Sequence, residues 1–564
     1  MREELNNSIE KILPIALLGI AGCIGGGYYV FASAILGILL SVVLIFQLWK
    51  TKQYKIALDE NMAALLVIVL GYLCTGIWAI DSGMAIYGFV KFFPLILWGL
   101  YICAHLECRE KIIHAIPYIG SLMTLFSVLM MQFEVFKSWV TVAGRLAGFF
   151  QYPNTYAVFM LICMIIAIHE LEEDKDYGNI FNIIMAVIGI AMSGSRTVYI
   201  MFGVTVLIVL IRKKNIRKIL FMIIAVGIVA IILEKVIGKG IILQRITGIS
   251  MSSSTLLGRL LYWKDALPVI LKHPFGMGYY GYYYIQQEVQ TGVYSVANVH
   301  NEFLQLMLDI GIIPAVIAFG NFVRFIIKAE SNRNRTIMII IVVHSLFDYD
   351  FQFMFIWMVL VLFLDFHNLK SGKIPTFTRV FLGVGTIGVS ILSVIIGSSD
   401  LLYLHGDTKL AVKVYEGNTQ AQITLLTDAQ STEAMEKQAE KIIRNNAHVA
   451  VAYSALARSS FSKGEIEDFI KYKLTAIKLA PYQYDEYVDY LDTLLYCADE
   501  YLEKGELESA KTCVLRAAQI PELLKTVENK TSNLSWKIKD IPQVKLSHKD
   551  LSKIEEYQSK INQN

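Results

Sequence analysis

Apolar runs separated by short polar breaks occupy residues 12–25, 29–48, 62–80, 85–104, 112–131, 155–169, 178–192, 197–211, 219–235, 302–323, 336–347, 353–366 and 378–397. A helix needs about 20 apolar residues to cross a bilayer, so the pattern predicts an all-α, polytopic membrane bundle of about 12–13 spans. Several runs are short, and the first two can instead form one re-entrant hairpin through Gly25-Gly26-Gly27. Between the ninth and tenth runs lies a long loop, 236–299. After Ser398 the apolar runs stop and a polar, helix-like pattern continues to the end. Three regions are expected: N-terminal transmembrane helices over 1–134, a membrane core over 135–398 that includes the loop 236–299, and a soluble α-helical domain over 399–564.

Composition supports a membrane protein. Of 564 residues, 55% are hydrophobic and mean hydropathy is +0.51, too apolar for a soluble chain of this size. The net charge of +3 gives no reason to expect nucleic acid as a partner. The start, "MREELNNSIEKILPIALLGIAGCIGGGYYV", has a head of mixed charge followed by two apolar runs, and is expected to be a retained span rather than a cleaved signal. Of the seven cysteines, Cys23, Cys74, Cys103, Cys108 and Cys163 fall in or beside apolar runs, where buried thiols are expected. Cys497 and Cys513 lie in the polar part and can pair if that part is outside the cell.

The placement of charge is more informative. One set of alternate loops holds Lys50, Lys52 and Lys55; Arg109 and Lys111; Lys175; Arg212, Lys213, Lys214, Arg217 and Lys218; Arg324, Lys328, Arg333 and Arg335; and Lys370, Lys373 and Arg379. The opposite loops are nearly bare: "DSGM" (81–84), "SGSR" (193–196) and "DYDFQ" (348–352) carry one arginine among them. Basic short loops stay in the cytoplasm. This predicts a cytoplasmic N-terminus, an extracytoplasmic C-terminal domain, and Arg145, Arg196, the loop 236–299, His300 and Asp348 all on the outer face.

That face carries the candidate chemistry. "GRLAGFFQYPNTYAVFM" (144–160) offers Arg145, Tyr152 and Asn154. "SGSRT" puts Arg196 at a helix N-terminus, where free N–H groups and the dipole favour an anion. "LLGRLLYWKDAL" (256–267) places Arg259, Trp263 and Lys264 on an amphipathic stretch of the outer loop. "SVANVHNEFLQLMLDIG" (295–311) brings His300 and Asn301, with Asp309 nine residues beyond His300. "VVHSLFDYDFQFMF" (342–355) adds His344, Asp348 and Asp350. Arginine forks match phosphate oxygens and keep their charge when partly desolvated. Histidine takes protons near neutral pH. Together they point to a phosphate-bearing substrate and a general base. Each residue alone also has a plainer role: a boundary arginine can anchor by snorkelling, a histidine can cap a helix, and "GYYGYYY" can belong to an interfacial aromatic belt.

In the polar part, "YSALARSSFSKGEIEDFIKYKLTAIKLAP" (453–481) carries Tyr453, Leu456, Ala457, Gly464, Phe469, Ala476 and Pro481 at offsets that resemble a tetratricopeptide repeat. A looser unit follows from about Tyr484 to Pro521, with Gly505, Ala510 and Ala517. Two units are few for a solenoid, so flanking helices are expected to cap them, and residues from about 530 onward read as a frayed basic tail.

In order and spacing, "GRLAGFFQYPNTYA", "SGSRT", "GRLLYW", "HPFGMGY" and "VHNEFLQLMLDIG" resemble the O-antigen ligase and polymerase family over about residues 130–366. The resemblance implies a glycosyltransferase that takes a glycan from an undecaprenyl diphosphate carrier and passes it to a glycan, lipid or protein acceptor, in the cell membrane of a bacterium. It maps the family's essential histidine onto His300 and its essential arginines onto Arg196 and Arg259, with Arg145, Asn154, Trp263, Asn301, Asp309, His344 and Asp348 expected around the substrate. No metal or other cofactor is expected. The chain departs from the family in having Asp309 where Glu is usual, in an additional span, and in the helical C-terminal domain, which can bind a protein partner. Lipid A core as acceptor therefore has no support. A polymerase that extends its own glycan on the carrier shares these motifs. An exporter is the reading from another class, but transporter folds show internal repeats and mid-membrane sites, and neither is visible here.

Overall fold

The computed structural model describes residues 2–173, 176–212 and 254–563, with isolated positions between 217 and 232. Apart from those positions, the span expected at 219–235 lies outside the described residues. So do 236–253 of the long loop and Lys175, Lys213, Lys214 and Lys218.

Among the described residues a helix stands at each expected span, and the protein is a polytopic helical membrane protein. Helix lengths vary more than the sequence implies. Among the described residues five helices are long and apolar enough to cross a bilayer: Val30–Thr51, Ser82–Ala104, Leu106–Met130, Pro153–Glu173 and Thr376–Leu404. Shorter apolar helices pack among them, including Glu60–Thr75, Gly178–Ser193 and Met354–Phe363. The last has 10 residues, about 15 Å of rise, half the hydrocarbon thickness. It survives because it is buried on every side, from Met354 at 1% exposure to Phe363 at 0%. Pro153–Glu173 is likewise surrounded, against Leu106–Met130 and Gly178–Ser193. Helices that are apolar all round belong inside a bundle, and these two form its centre. Outer helices keep large apolar side chains exposed, such as Phe377, Phe381 and Ile387 on Thr376–Leu404, as a lipid-facing surface requires.

The first two runs form a helical hairpin, Arg2–Cys23 and Val30–Thr51, joined at Gly25–Gly27. All three glycines have positive φ. A Cβ on Gly26 would lie 2.6 Å from the Phe150 ring, so the turn can approach the 148–150 loop only without side chains. The run 302–323 is not one helix. It breaks at Gly311 (φ 95°) into Glu302–Ile310 and Ile312–Lys328.

Loops sort by charge as the alternation demands. At one end, strands Gln53–Ala57 and Leu369–Lys373 pair antiparallel, with Gln53 opposite Lys373. There Arg333 forks onto Glu110 at 2.9 and 3.0 Å, and Arg324 pairs with Glu60. At the other end lie Gly25–Gly27, Asp81, residues 141–152, Ser193–Arg196 and Asp348–Phe353.

The C-terminal helices, Thr408–Val414 through His548–Gln563, dock on this second end. Asp81 accepts from Met84 N (2.9 Å) as an N-cap and from the Asn445 and Asn446 amides (3.1 and 3.0 Å). Tyr415 donates to the Gly83 carbonyl at 3.0 Å, and Gln420 donates to the Tyr284 hydroxyl at 3.0 Å. Helices Ala450–Lys463 and Ile466–Leu479 form a pair that turns at Gly464 (φ 77°). Tyr484–Glu503 and Leu507–Ala518 turn at Gly505 (φ 78°). Cys497 and Cys513 are both buried as free thiols, so the pairing considered for them does not occur. Nor does the chain fray from about 530: helix His548–Gln563 buries Ile554 and Ile561 against the preceding helices. Asp81→Ala removes a cap and two charge-assisted bonds, and is expected to cost about 2–4 kcal/mol. The loss would be read as earlier thermal unfolding and faster proteolysis of the C-terminal helices in the full chain.

Candidate functional site

The site forms where four segments meet on one carboxylate. Asp348 follows the helix Asn332–Ser345 and is 1% exposed. Its Oδ1 accepts from the Tyr152 hydroxyl (2.6 Å), His300 Nδ1 (3.2 Å) and the Tyr349 N–H (3.1 Å). Its Oδ2 accepts from Asn154 Nδ2 (2.7 Å) and Arg259 (3.0 Å). Burial pushes the Asp348 carboxyl up, but the Arg259 guanidinium, the His300 bond and charge, and His344 together hold it well below the usual carboxylate range. It stays ionised and can only accept. Nδ1 of His300 therefore carries a proton facing Asp348, and in the neutral form of the ring Nε2 keeps its lone pair.

His300 is held from both sides. Its backbone is left-handed (φ 54°), a conformation that costs an L-residue about 1–2 kcal/mol. Val299 before it donates its N–H to Gln305 (3.0 Å) and accepts the Trp263 indole N–H at its carbonyl (2.9 Å). Asn301 after it caps the helix Glu302–Ile310 through Leu304 N (3.0 Å) and donates to the Leu346 carbonyl (3.0 Å). The polar groups of Trp263 and Asn301 are engaged with backbone on either side of the histidine and hold it in place. The imidazole packs edge-on to Tyr349 with ring centroids 4.9 Å apart, and its side chain is 21% exposed.

Arg259 sits on the helix Ser254–Lys272. Asp265 ties this helix to the following loop by accepting from Thr291 N and Oγ1 (2.8 and 2.7 Å) and the Tyr294 hydroxyl (2.9 Å). Burial pushes the Asp265 carboxyl up against the pull of those bonds. The Arg259 side chain is 11% exposed, and its buried Nε has no hydrogen-bond partner. Arg145, on the short strand Arg145–Leu146, extends the cluster: it donates to Asn154 Oδ1 (2.6 Å) and to the Ser193 carbonyl (2.7 Å). Three residues past Ser193, Arg196 opens the helix Arg196–Arg212. Among the described residues its guanidinium makes no hydrogen bond or ion pair, and its Nε and Ser195 Oγ are both buried without a partner. Arg145, Asn154, Arg259, His300 and Asp348 are thus joined by contacts, and Arg196 adjoins them through Ser193.

Two expected residues lie apart. His344 is fully buried and bonds Asp350 at 2.5 Å, while Asp350 also accepts from Thr155 (2.7 Å). Asp309 accepts from Tyr72 (3.0 Å) and Gln305 (2.9 Å) at the far end of the helix that His300 precedes. The aromatic turn faces inward, with Tyr279, Tyr282 and Tyr284 buried, so it is not an interfacial belt.

Sequence reasoning missed a buried network beside the site. Lys91, 2% exposed, donates to the Tyr279 hydroxyl (3.0 Å) and Gln352 Oε1 (3.2 Å), and its ammonium lies 4.9 Å from the Tyr28 ring centre. Gln352 Nε2 reaches Glu302 at 3.4 Å. Lys91 is an ionisable residue in the middle of an apolar run, which is the signal that could have found it. Among the described residues no group of three or more His, Cys, Asp or Glu side chains is arranged to hold a metal ion.

No curated protein and no solved structure matches the chain. A family model described as O-Antigen ligase matches residues 181–319, the segment that carries Arg196, Arg259, Trp263, His300, Asn301 and Asp309. Over this segment the protein is similar to the O-antigen ligase family, whose members are glycosyltransferase-like ligases or polymerases.

Proposed function

We propose that the protein transfers a glycan from undecaprenyl diphosphate to an acceptor hydroxyl at the outer face of a bacterial cell membrane. The observation that carries this is the Asp348 carboxylate, which holds an accepting His300 and a buried Arg259 in contact with one another's partner. The basic loops gather at the opposite end of the bundle, which supports a cytoplasmic N-terminus and an outward-facing site.

The diphosphate lies among Arg196, Arg259 and Arg145. The unpartnered Nε atoms of Arg196 and Arg259 are donors in need of acceptor oxygens. As the acceptor oxygen attacks the sugar C1, the C1–O bond to the diphosphate breaks, and the bond's electrons go to the leaving oxygen. The arginines offset that charge. His300 Nε2 takes the acceptor's proton, and Asp348 stabilises the imidazolium that forms, as a carboxylate does behind any histidine base. One displacement inverts the anomeric centre. Asn154 and Tyr152 position Asp348. His344 and Asp309 shape the surroundings from buried positions. The C-terminal helices, read as tetratricopeptide-like pairs, sit over the outer loop where an acceptor or a protein partner would approach.

The test is the purified full chain in lipid nanodiscs with an undecaprenyl-diphosphate-linked glycan. Released undecaprenyl diphosphate together with transferred glycan is the expected result. A ladder of lengths on the carrier identifies a polymerase, and a glycan moved off the carrier identifies a ligase. An intact donor after incubation with acceptor would refute the proposal. In this assay Arg196→Ala is expected to lower transfer about 10²- to 10³-fold. Its thermal unfolding should match wild type, since the side chain has no internal bond to lose among the described residues.

A further inference from the structure

At the end of the bundle away from the arginine–histidine cluster, a cleft of about 1070 Å³ opens between helices Val30–Thr51, Ser82–Ala104 and Thr376–Leu404 and the two-stranded sheet. Its lining changes character along its length. Val42, Phe46, Leu97 and Leu382 make the deeper part apolar, and Phe46 is 63% exposed. From Val42 to Thr51 the first helix rises about 14 Å, roughly one leaflet of a hydrocarbon core about 30 Å thick. At the helix end the lining turns basic, with Lys50, Lys55 and Lys373. Among the described residues no aspartate or glutamate lines the cleft, and the side chains of Lys55 and Lys373 make no hydrogen bond or ion pair. His105, also in the lining, pairs with Glu107 at 3.4 Å. Next to the lining residue Thr378, the buried Arg379 stacks on Trp49 at 5.4 Å and keeps an Nε without a partner.

A chain-length apolar trough whose rim carries Lys55 and Lys373 is complementary to one kind of molecule. We propose that this cleft binds an anionic two-chain phospholipid, with acyl chains along Val42, Phe46 and Leu382 and the headgroup phosphate at Lys55 and Lys373. The sheet serves the site: pairing Gln53–Ala57 with Leu369–Lys373 brings lysines from loops about 320 residues apart to one rim. A basic residue at a membrane surface contributes about fivefold to anionic-lipid affinity, so two give at least about tenfold. The proposal concerns the opposite end of the molecule and does not rest on glycan transfer.

The experiment is native mass spectrometry of the full chain from mild detergent, with added dioleoyl phosphatidylglycerol or dioleoyl phosphatidylcholine. Wild type is expected to retain the anionic lipid at about tenfold lower concentration than the zwitterionic one. Lys55→Gln with Lys373→Gln should abolish that preference without shifting thermal unfolding in lipid-free detergent. Leu382→Trp, which fills the trough, should reduce retention of both lipids. Equal retention by wild type, an unchanged preference in the lysine variant, or displacement of phosphatidylglycerol by a single-chain polyprenyl phosphate would each overturn the proposal.

Discussion

Replacing His300 by alanine is expected to lower glycan transfer about 10²- to 10⁴-fold, the range for loss of one general base. The effect should fall on kcat with KM little changed, because the imidazole acts on the proton that moves in the transition state. Alanine also meets a local obstacle: the backbone at 300 is left-handed, where an alanine costs about 1 kcal/mol. His300→Asn separates the two effects. Asparagine tolerates that conformation and can still donate to Asp348, but it offers no nitrogen to accept a proton. It should unfold at the wild-type temperature and still lose transfer. Near-normal kcat in His300→Asn would exclude the histidine as base.

The second large effect is expected at Asp348. Alanine there strips the acceptor from Tyr152, Asn154, Arg259 and His300 at once. Removing one partner of a buried ion pair costs about 3–5 kcal/mol, because the other charge is left uncompensated. Destabilisation measured by thermal or denaturant unfolding should therefore exceed that of any variant described above. Transfer should fall about 10²- to 10³-fold even in the milder Asp348→Asn, since the proton on Nδ1 of His300 is no longer dictated by a carboxylate. The pH sign follows from the depressed carboxyl. Its stabilisation is present above the unfolded value of about 3.9 and is lost as pH falls toward the lower folded value. Acid unfolding of Asp348→Asn should lack that component.

Much of this arrangement was legible beforehand, for identifiable reasons. Alternation of basic and bare loops sorted the helix ends correctly, because membrane charge asymmetry acts on each short loop separately. That sorting brought Arg145, Arg259, His300 and Asp348 to one end without knowledge of any contact. Apolar length was a poorer guide. Met354–Phe363 reads as a span but is a buried half-span, since hydropathy cannot tell lipid from protein as a neighbour. The break at Gly311 was missed because a glycine inside an apolar run is common in membrane helices, and only its φ of 95° identifies it as a stop. Partners were the least legible. Asp348 is expected at the outer face near the substrate, and nothing in the local pattern announces that five donors from four segments converge on it. Trp263 and Asn301 are expected around the substrate, and their bonds to backbone are not visible in the sequence. They donate to the Val299 and Leu346 carbonyls.

The stop at Gly311 has one more effect. Glu302–Ile310 is nine residues long, with the imidazole ahead of its first turn and the Asp309 carboxylate in its last. It is short enough to pivot as a single rod. The Tyr72 hydroxyl grips one tip and the Leu346 carbonyl the other, so both ends are braked against spinning about the axis. One residue of slippage along that rod would swing the ring by about 100°, carrying its free nitrogen away from the arginines.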